Sequence, residues 1–226
     1  MSAHAQPLVA VDVAAFTILD ADLKLLLIRR GLPPAGALAL PGGFVRCDGA
    51  DQGEDLEDAA RRELTQETRL PTPKSLPLVQ VHVFGAPERD ARARVISVAY
   101  LAVVKPEVAA YVRAGSDAAG VLWCSVSDLD KLTLAFDHKA IVDRCLARLR
   151  RDVDETAVAR ALVPEAFSVA ELRAAVDAVQ GARTDPGNFR RRFERLKDDG
   201  VVAAAPGKRV TGRRPAAVFH FCAPAT

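Results

Sequence analysis

The segment PGGFVRCDGADQGEDLEDAARRELTQETRL runs from Pro41 to Leu70 and joins a glycine pair to a charged, periodic stretch. Apolar residues recur at roughly helical spacing between Leu56 and Leu70, which predicts a helix over about residues 54–69. The adjacent Gly42 and Gly43 let the backbone turn tightly and approach a ligand closely. Taken alone, the helix is equally well explained as an acidic surface helix with ordinary ion pairs.

Strand patterns lie on both sides of this segment. Upstream, LVAVDVAAFTIL at 8–19 and LKLLLIRR at 23–30 predict two apolar strands joined by a polar turn. Downstream, strand patterns occur at 76–85, 93–104 and 120–126, and helical patterns at 127–132 and 136–153. The alternation of strands and helices predicts an α/β or α+β sandwich of about 150 residues. We place this first domain at residues 1–152.

The pattern changes after residue 152. Short helical patterns at 154–162, 168–181 and 185–200 are followed by two short apolar strands around PGKRVTGRR. Ser168 and Glu171 have the spacing of a capping box at the start of the second helix. Three helices and a hairpin predict a winged helix-turn-helix domain over residues 153–226.

Length and composition are those of a globular protein. The chain has 226 residues, of which 50% are hydrophobic and 27% charged, so two domains are expected. No run approaches the apolar length of a membrane span, and the first residues do not resemble a secretion signal, so we expect a cytoplasmic protein with no membrane contact. The four cysteines and four histidines are scattered, which favours neither a zinc site nor a disulfide framework.

Positive charge is concentrated near the C-terminal end. Between Arg190 and Arg214 the chain has nine Lys or Arg residues against three acidic ones, a net charge of +6, whereas the rest has 22 basic and 26 acidic residues. Local positive charge of this kind is what contact with nucleic acid requires.

The helix at 185–200 carries much of this charge. Phe189, Phe193 and Leu196 recur at spacings of four and three, which predicts a buried stripe with basic residues on the other faces. This arrangement is typical of a recognition helix, with the hairpin as a wing. A solvated charged face, or a winged helix that binds protein, would give the same pattern. The candidate DNA-binding residues are Thr184, Asn188, Arg190, Arg191, Arg192, Arg195, Lys197, Lys208, Arg209, Arg213 and Arg214.

The segment 41–70 resembles the Nudix box. The residues that match the family pattern are Gly43, Glu54, Arg62, Glu63, Leu64, Glu67 and Leu70. Three departures stand out: ten residues instead of five separate Gly43 from Glu54, Gln66 replaces a glutamate, and Arg69 replaces a glycine.

The family resemblance implies an α/β/α sandwich that collects Mg²⁺ or Mn²⁺ on helical carboxylates. Glu63 and Glu67 are four residues apart and project from one helical face, so they are the candidate metal ligands. Gln66 removes one negative charge from that face, which weakens cation binding and stabilisation of the departing phosphate. We therefore expect weak or no hydrolysis, a retained nucleotide site and no required cofactor.

The chain as a whole resembles the Nudix-related transcriptional regulators of NAD metabolism. Further matches are LPGGFVR at 40–46, LAFDHKAIV at 134–142, LARLR at 146–150 and GRRPAAVFHF at 212–221. The resemblance implies a homodimeric repressor of NAD biosynthesis or salvage genes that binds a palindromic operator in double-stranded DNA and responds to ADP-ribose or a related nucleotide.

Residues near the box are the candidates for holding a pyrophosphate. They are Arg29, Gly42, Gly43 and Arg46, because arginine matches phosphate geometry in a bidentate way and glycine exposes backbone N–H groups. His138 follows Asp137 directly, so the two side chains point about 100° apart on a helix, and we expect a structural or interdomain role for His138.

Two other functions fit parts of the sequence. An active Nudix pyrophosphatase acting on ADP-ribose or a similar nucleoside diphosphate derivative would use the surviving Glu54, Glu63 and Glu67. A scaffold that does not bind DNA would present the same C-terminal helices without a salt-sensitive affinity for duplex.

Overall fold

The fold is organised around one long strand, β1 (Leu8–Leu19). The computed structural model describes residues 6–31, 35–47, 53–115, 118–154, 156–210 and 215–223. β1 pairs in parallel with β6 (Val95–Val103) on one edge. On its other edge it pairs antiparallel, first with β4 (Gly42–Phe44) and then with β2 (Asp22–Arg30). Neighbours on both edges and helices on both faces explain why β1 is almost continuously apolar.

Three further strands complete a sheet of seven within the described ranges. β2 also pairs with β3 (Leu38–Ala39) and β7 (Ala118–Ser125), and β6 pairs with β5 (Leu78–Phe84). The predicted strands are confirmed. β3 and β4 were not predicted from the sequence, because two or three residues are too few to produce a periodic pattern.

Helices cover both faces of this sheet. Odd-numbered β1 residues from Val11 to Ala15 pack against α1 (Leu56–Thr68) and α2 (Pro106–Ala109), whereas Ala14 and Phe16 pack against α3 (His138–Asp152). A 3₁₀ turn at Val126–Lys131 precedes α3. The result is a mixed α+β architecture with the sheet between two helical layers. No helix in the described part of the chain is long and apolar enough to cross a membrane.

The C-terminal segment folds as three helices and a hairpin. They are α4 (Thr156–Leu162), α5 (Val169–Gln180), α6 (Pro186–Asp198), β8 (Val202–Val210) and β9 (Pro215–Phe221). The predicted capping box is confirmed, since the Ser168 hydroxyl accepts from Glu171 N–H and the Glu171 carboxylate accepts from Ser168 N–H. Gly181 ends α5 in the left-handed conformation, which glycine adopts without the strain of a Cβ atom.

One apolar core runs through both parts of the chain. Leu149 of α3 belongs to the same buried cluster as Phe167, Val176 of α5 and Phe193 of α6. A division at 152/153 stays a prediction, and the packing crosses it. The helix and strand order matches the two predicted domains, but their interiors are continuous.

Arg69, which stands where the family pattern has glycine, ends α1 in a left-handed conformation with φ 57°. A residue with a Cβ atom is strained there and glycine is not. We expect Arg69→Gly to raise the free energy of unfolding by about 1 kcal/mol, measured by urea denaturation. Arg69→Ala is the matched control, because it removes the charge and keeps the strain. Equal stabilities of the two variants would contradict this explanation.

Candidate functional site

A cavity of about 390 Å³ opens beside the glycine pair and α1. It lies where β1, β2 and β4 meet the segment 89–92 and the start of α3. The walls combine five arginines with four carboxylates, three glycines and two phenylalanine rings. The residues that define the chemistry of the cavity are Asp12, Arg30, Gly42, Gly43, Arg46, Arg62, Glu63, Glu67, Arg89, Asp90, Arg92, Phe136 and His138.

The buried Asp12 carboxylate lies at the base of this cavity. Ser97 Oγ donates to its Oδ2 at 2.5 Å, and Arg89 Nη2 donates to the same oxygen at 3.4 Å. His138 Nε2 lies 3.3 Å from its Oδ1. A buried carboxylate needs such partners because an uncompensated charge away from water is costly.

Arg89 joins the base of the cavity to α3. Its guanidinium is buried and donates through Nε and Nη2 to the two oxygens of Asp137, at 2.9 and 2.7 Å. This is the bidentate geometry that makes arginine–carboxylate pairs strong and directional. Asp137 is the residue that immediately precedes α3, so the arginine segment and the helix are held together.

His138 is buried and neutral in this arrangement. Leu40 N–H donates to its Nδ1 at 2.9 Å, which places the ring proton on Nε2, facing Asp12. Burial lowers the pKa of His138 below its ordinary value, and the nearby Asp12 charge opposes that shift. These contacts are those of a residue that holds neighbouring segments together, and the structural or interdomain role expected for His138 stays a prediction.

A stack of two guanidinium groups and one ring forms another wall. Arg30 and Arg92 lie over the Phe136 ring, 4.9 and 5.2 Å from its centroid. Burial, and then the charge of Arg92, lower the pKa of Arg30. Phe136 itself has φ 53°, a strained conformation for a residue with a bulky side chain. Two cations held close together favour an anionic ligand at this wall.

Gly42 and Gly43 occupy positions that exclude a side chain. A Cβ atom at Gly42 would overlap Val11 O and lie 2.7 Å from Asp12 Oδ1, and one at Gly43 would overlap the Glu63 carboxylate. Gly42 N–H donates to Glu67 Oε2 at 2.9 Å. The glycine pair therefore lets β4 pass directly over α1.

The carboxylates of α1 are engaged within the protein. Arg62 pairs with Glu54 and, at 2.6 Å, with Glu63, and its hydrogen bond lowers the pKa of Glu54. Among the described residues, no group of three or more His, Cys, Asp and Glu side chains is arranged to hold a metal ion. Mg²⁺ or Mn²⁺ at Glu63 and Glu67 stays a prediction.

The candidate ligand residues come together only in part. Gly42, Gly43 and Arg46 line the cavity, but Arg29 does not, and its Nη1 donates to Gly36 O. Successive strand residues point to opposite faces, so Arg30 takes the place predicted for Arg29. Four further lining residues are distant from the box in sequence and were not predicted, namely Asp12, Arg89, Arg92 and Phe136. The charged run ERDARAR at 88–94 is the pattern that could have indicated two of them.

A second polar surface lies on α6. Phe189 and Phe193 are buried and Leu196 packs beside them, which confirms the predicted stripe. The opposite face forms an open groove lined by Gly187, Asn188, Arg190, Arg191, Glu194, Arg195 and Asp198. The Asn188 side chain accepts a hydrogen bond from Arg191, which holds that guanidinium near the start of the helix.

The other predicted DNA-binding residues have unequal surroundings. Arg192 pairs with Asp154, Lys197 with Glu194 at 2.6 Å, and Arg209 with Glu171 at 2.7 Å. Thr184 is half-buried, and its N–H donates to Asp177. Lys208 is exposed on β8, while Arg213 and Arg214 lie outside the described residues. The exposed members at the start of α6 are therefore the strongest candidates.

Comparison with known proteins gives four informative similarities. Residues 9–145 match the family model described as NUDIX domain. The chain is 32% identical to the ADPR responsive transcriptional repressor NtrR of Acinetobacter baylyi, over 97% of this chain and 84% of that protein. It is 40% identical to the ADP-ribose pyrophosphatase of Methanocaldococcus jannaschii, over 62% of this chain and 73% of that protein. The crystal structure of Shewanella oneidensis NrtR complexed with a 27mer DNA superimposes with TM-score 0.77 at 28% identity, covering 95% and 93% of the two chains.

The neutral, buried His138 gives a pH dependence of stability. The unfolded chain gains a proton at this position as the pH falls below about 6.5, and the folded protein, with its lowered pKa, does not. The free energy of unfolding should therefore decrease as the pH is lowered. Between pH 7.5 and 5.5 this histidine should account for about 1 kcal/mol of that decrease. His138→Gln should reduce the difference between the free energies of unfolding that urea denaturation gives at these two pH values. The exposed His82→Gln serves as control and should keep the full difference.

Proposed function

Because the chain belongs to the NUDIX domain family and is similar over nearly its whole length to a repressor that responds to ADPR, we propose that it is a transcriptional repressor whose affinity for operator DNA depends on ADP-ribose. The observation that carries the proposal is the exposed arginine face of α6, opposite its buried phenylalanines. A face of this kind, next to a hairpin, is complementary to duplex phosphates and groove edges.

The C-terminal segment acts as a winged helix-turn-helix. In this assignment α5 and α6 are the helix-turn-helix pair, and β8 and β9 form the wing. Asn188 and Arg191 lie near the N-terminal end of α6, and because recognition helices contact base edges with their N-terminal residues, these two are the proposed base contacts. Arg190 and Arg195 lie on the same groove and contact phosphates or bases beside them. Arg192 and Arg209 mainly hold the helices and hairpin in place, because both are in ion pairs.

The cavity beside the glycine pair is the ADP-ribose site. A pyrophosphate suits the positive wall of Arg30, Arg46 and Arg92, and the Phe136 ring adds an aromatic surface. A volume of about 390 Å³ is in the range of small-molecule sites. The glycine backbone allows the ligand to approach β4 without a side chain between them.

Symmetry and target genes follow from the same proposal. A homodimer would place two α6 helices in successive major grooves, and its operator would be palindromic. The genes under its control are those of NAD biosynthesis or salvage, since ADP-ribose is a product of NAD breakdown.

A second function, ADP-ribose hydrolysis, is favoured by the similarity to the archaeal pyrophosphatase. We propose that the box is degenerate and that hydrolysis is weak or absent. Gln66 offers a neutral amide that accepts from Arg62, and Glu54 and Glu63 are paired to the same arginine. Turnover of ADP-ribose with Mg²⁺ or Mn²⁺ separates the two functions. A rate near the ordinary enzyme value of about 10 s⁻¹ would establish the hydrolase instead.

Loss of one guanidinium at the start of α6 tests the DNA half of the proposal. On a duplex selected by the full-length protein from a random pool, Arg191→Ala should weaken binding by about 1 to 3 kcal/mol if Arg191 reads a base. Arg113→Ala, at an exposed arginine of the N-terminal part, should leave the affinity unchanged. Gel-shift titration at two salt concentrations measures both. If the wild type had no salt-sensitive affinity for any duplex, the chain would be a scaffold rather than a repressor.

Substitutions of Arg29 and Arg30, the neighbouring arginines of β2, test the proposal that the cavity binds ADP-ribose. Arg30→Ala removes a cation from the cavity wall and should weaken ADP-ribose binding about 10- to 100-fold, the usual range for a lost charge-assisted hydrogen bond. Arg29→Ala is the matched control, because its side chain lies outside the cavity. Isothermal titration calorimetry gives both affinities. A stronger effect at Arg29 than at Arg30 would place the ligand elsewhere, and equal operator affinity with and without ADP-ribose would remove the effector role.

A further inference from the structure

The start of α3 is bonded to two different walls of the cavity. Asp137 holds the segment 89–92 through the bidentate contact with Arg89. His138, the next residue, accepts the Leu40 N–H at 2.9 Å, and Leu40 lies two residues before Gly42. A ligand that displaces either the arginine segment or the glycine segment therefore acts on the same helical end.

The other end of α3 is bonded to α5. Arg150 Nε donates to Val179 O and Gln180 Nε2 donates to Arg150 O, both at 3.0 Å. This reciprocal pair fixes the last turn of α5, directly before Gly181. The following turn is tied back to α5 because Thr184 N–H donates to the Asp177 carboxylate at 2.7 Å. The position of α6 thus depends on where α3 holds the end of α5.

The body of α3 is suited to move as a unit. Its fifteen residues span about 22 Å, and its inner face, from Ile141 to Leu149, is fully packed against the sheet. Packed interfaces shift between discrete arrangements instead of deforming gradually. When Asp137 is displaced, Arg150 at the other end of α3 is therefore displaced with it.

We propose that α3 transmits the ligand's effect from the cavity to α6, with Arg150 and Gln180 as positioning residues; this inference rests on the proposed function. Phosphate oxygens near Arg89 compete with Asp137 for its guanidinium, and the start of α3 moves in response. The reciprocal bonds at Arg150 and Gln180 then turn the end of α5. The ligand changes DNA affinity because it binds the two positions of α3 unequally.

The test measures coupling separately from binding. In full-length protein, Arg150→Ala, Gln180→Ala and the double variant remove only exposed side chains, so the fold and both individual affinities should stay within about twofold of wild type. The ratio of operator affinities without and with saturating ADP-ribose should be at least fivefold in wild type and close to one in the double variant. Arg144→Ala, at another exposed arginine of α3, is the control and should keep the wild-type ratio.

Hydrogen–deuterium exchange without DNA provides the second readout. ADP-ribose should change exchange in residues 179–185 of the wild type and leave these residues unchanged in the double variant. A double variant that binds ADP-ribose and keeps the wild-type ratio would overturn the role of α3, and α5, which also packs against β2, would be the alternative route. That result would leave the proposed function intact. Wild-type protein that binds ADP-ribose without any change in DNA affinity or in residues 179–185 would overturn both.

Discussion

The buried Asp12 carboxylate is the contact on which the geometry of the cavity depends. It lies on the central strand, in a sheet whose neighbouring positions are apolar, and a charge there is tolerated only when several donors surround it. The donors come from β6, from the segment around residue 89 that precedes it and from α3, all of them far from Asp12 in sequence. The contacts with this one carboxylate thereby fix the positions of the cavity walls relative to one another.

Periodicity predicted most of the architecture. The strand pair at residues 8–30, the helix of the box and the three C-terminal helices follow from apolar spacing, because each buries one continuous face. β3 and β4 escaped detection, since they are too short to have a period. Arg69 was noticed only as a departure from a pattern, and its left-handed conformation explains why glycine is the usual residue there.

The cavity was harder to predict than the fold. Proximity in sequence led to Arg29, whereas the sheet presents the adjacent Arg30 to the cavity. Arg89, Arg92 and Phe136 reach the cavity from segments distant in sequence, and no local pattern links them to the glycine pair. On α6 the pattern was more informative, because burial of two phenylalanines determines which arginines face outward. Ion pairs then separate Arg192 and Arg209 from the exposed arginines, a distinction that charge counting does not make.

The continuous apolar core has a consequence for how such a chain can be recombined. Domains that each have their own hydrophobic core can be exchanged between proteins, because each one folds without the other. Here Phe167 and Val176 share an interior with Leu149, so a chimera that kept the C-terminal helices and replaced the first half would leave a large apolar surface without its neighbour. Any exchange that preserves solubility has to carry the inner face of α3 with it, and in evolution the two halves are constrained to change together.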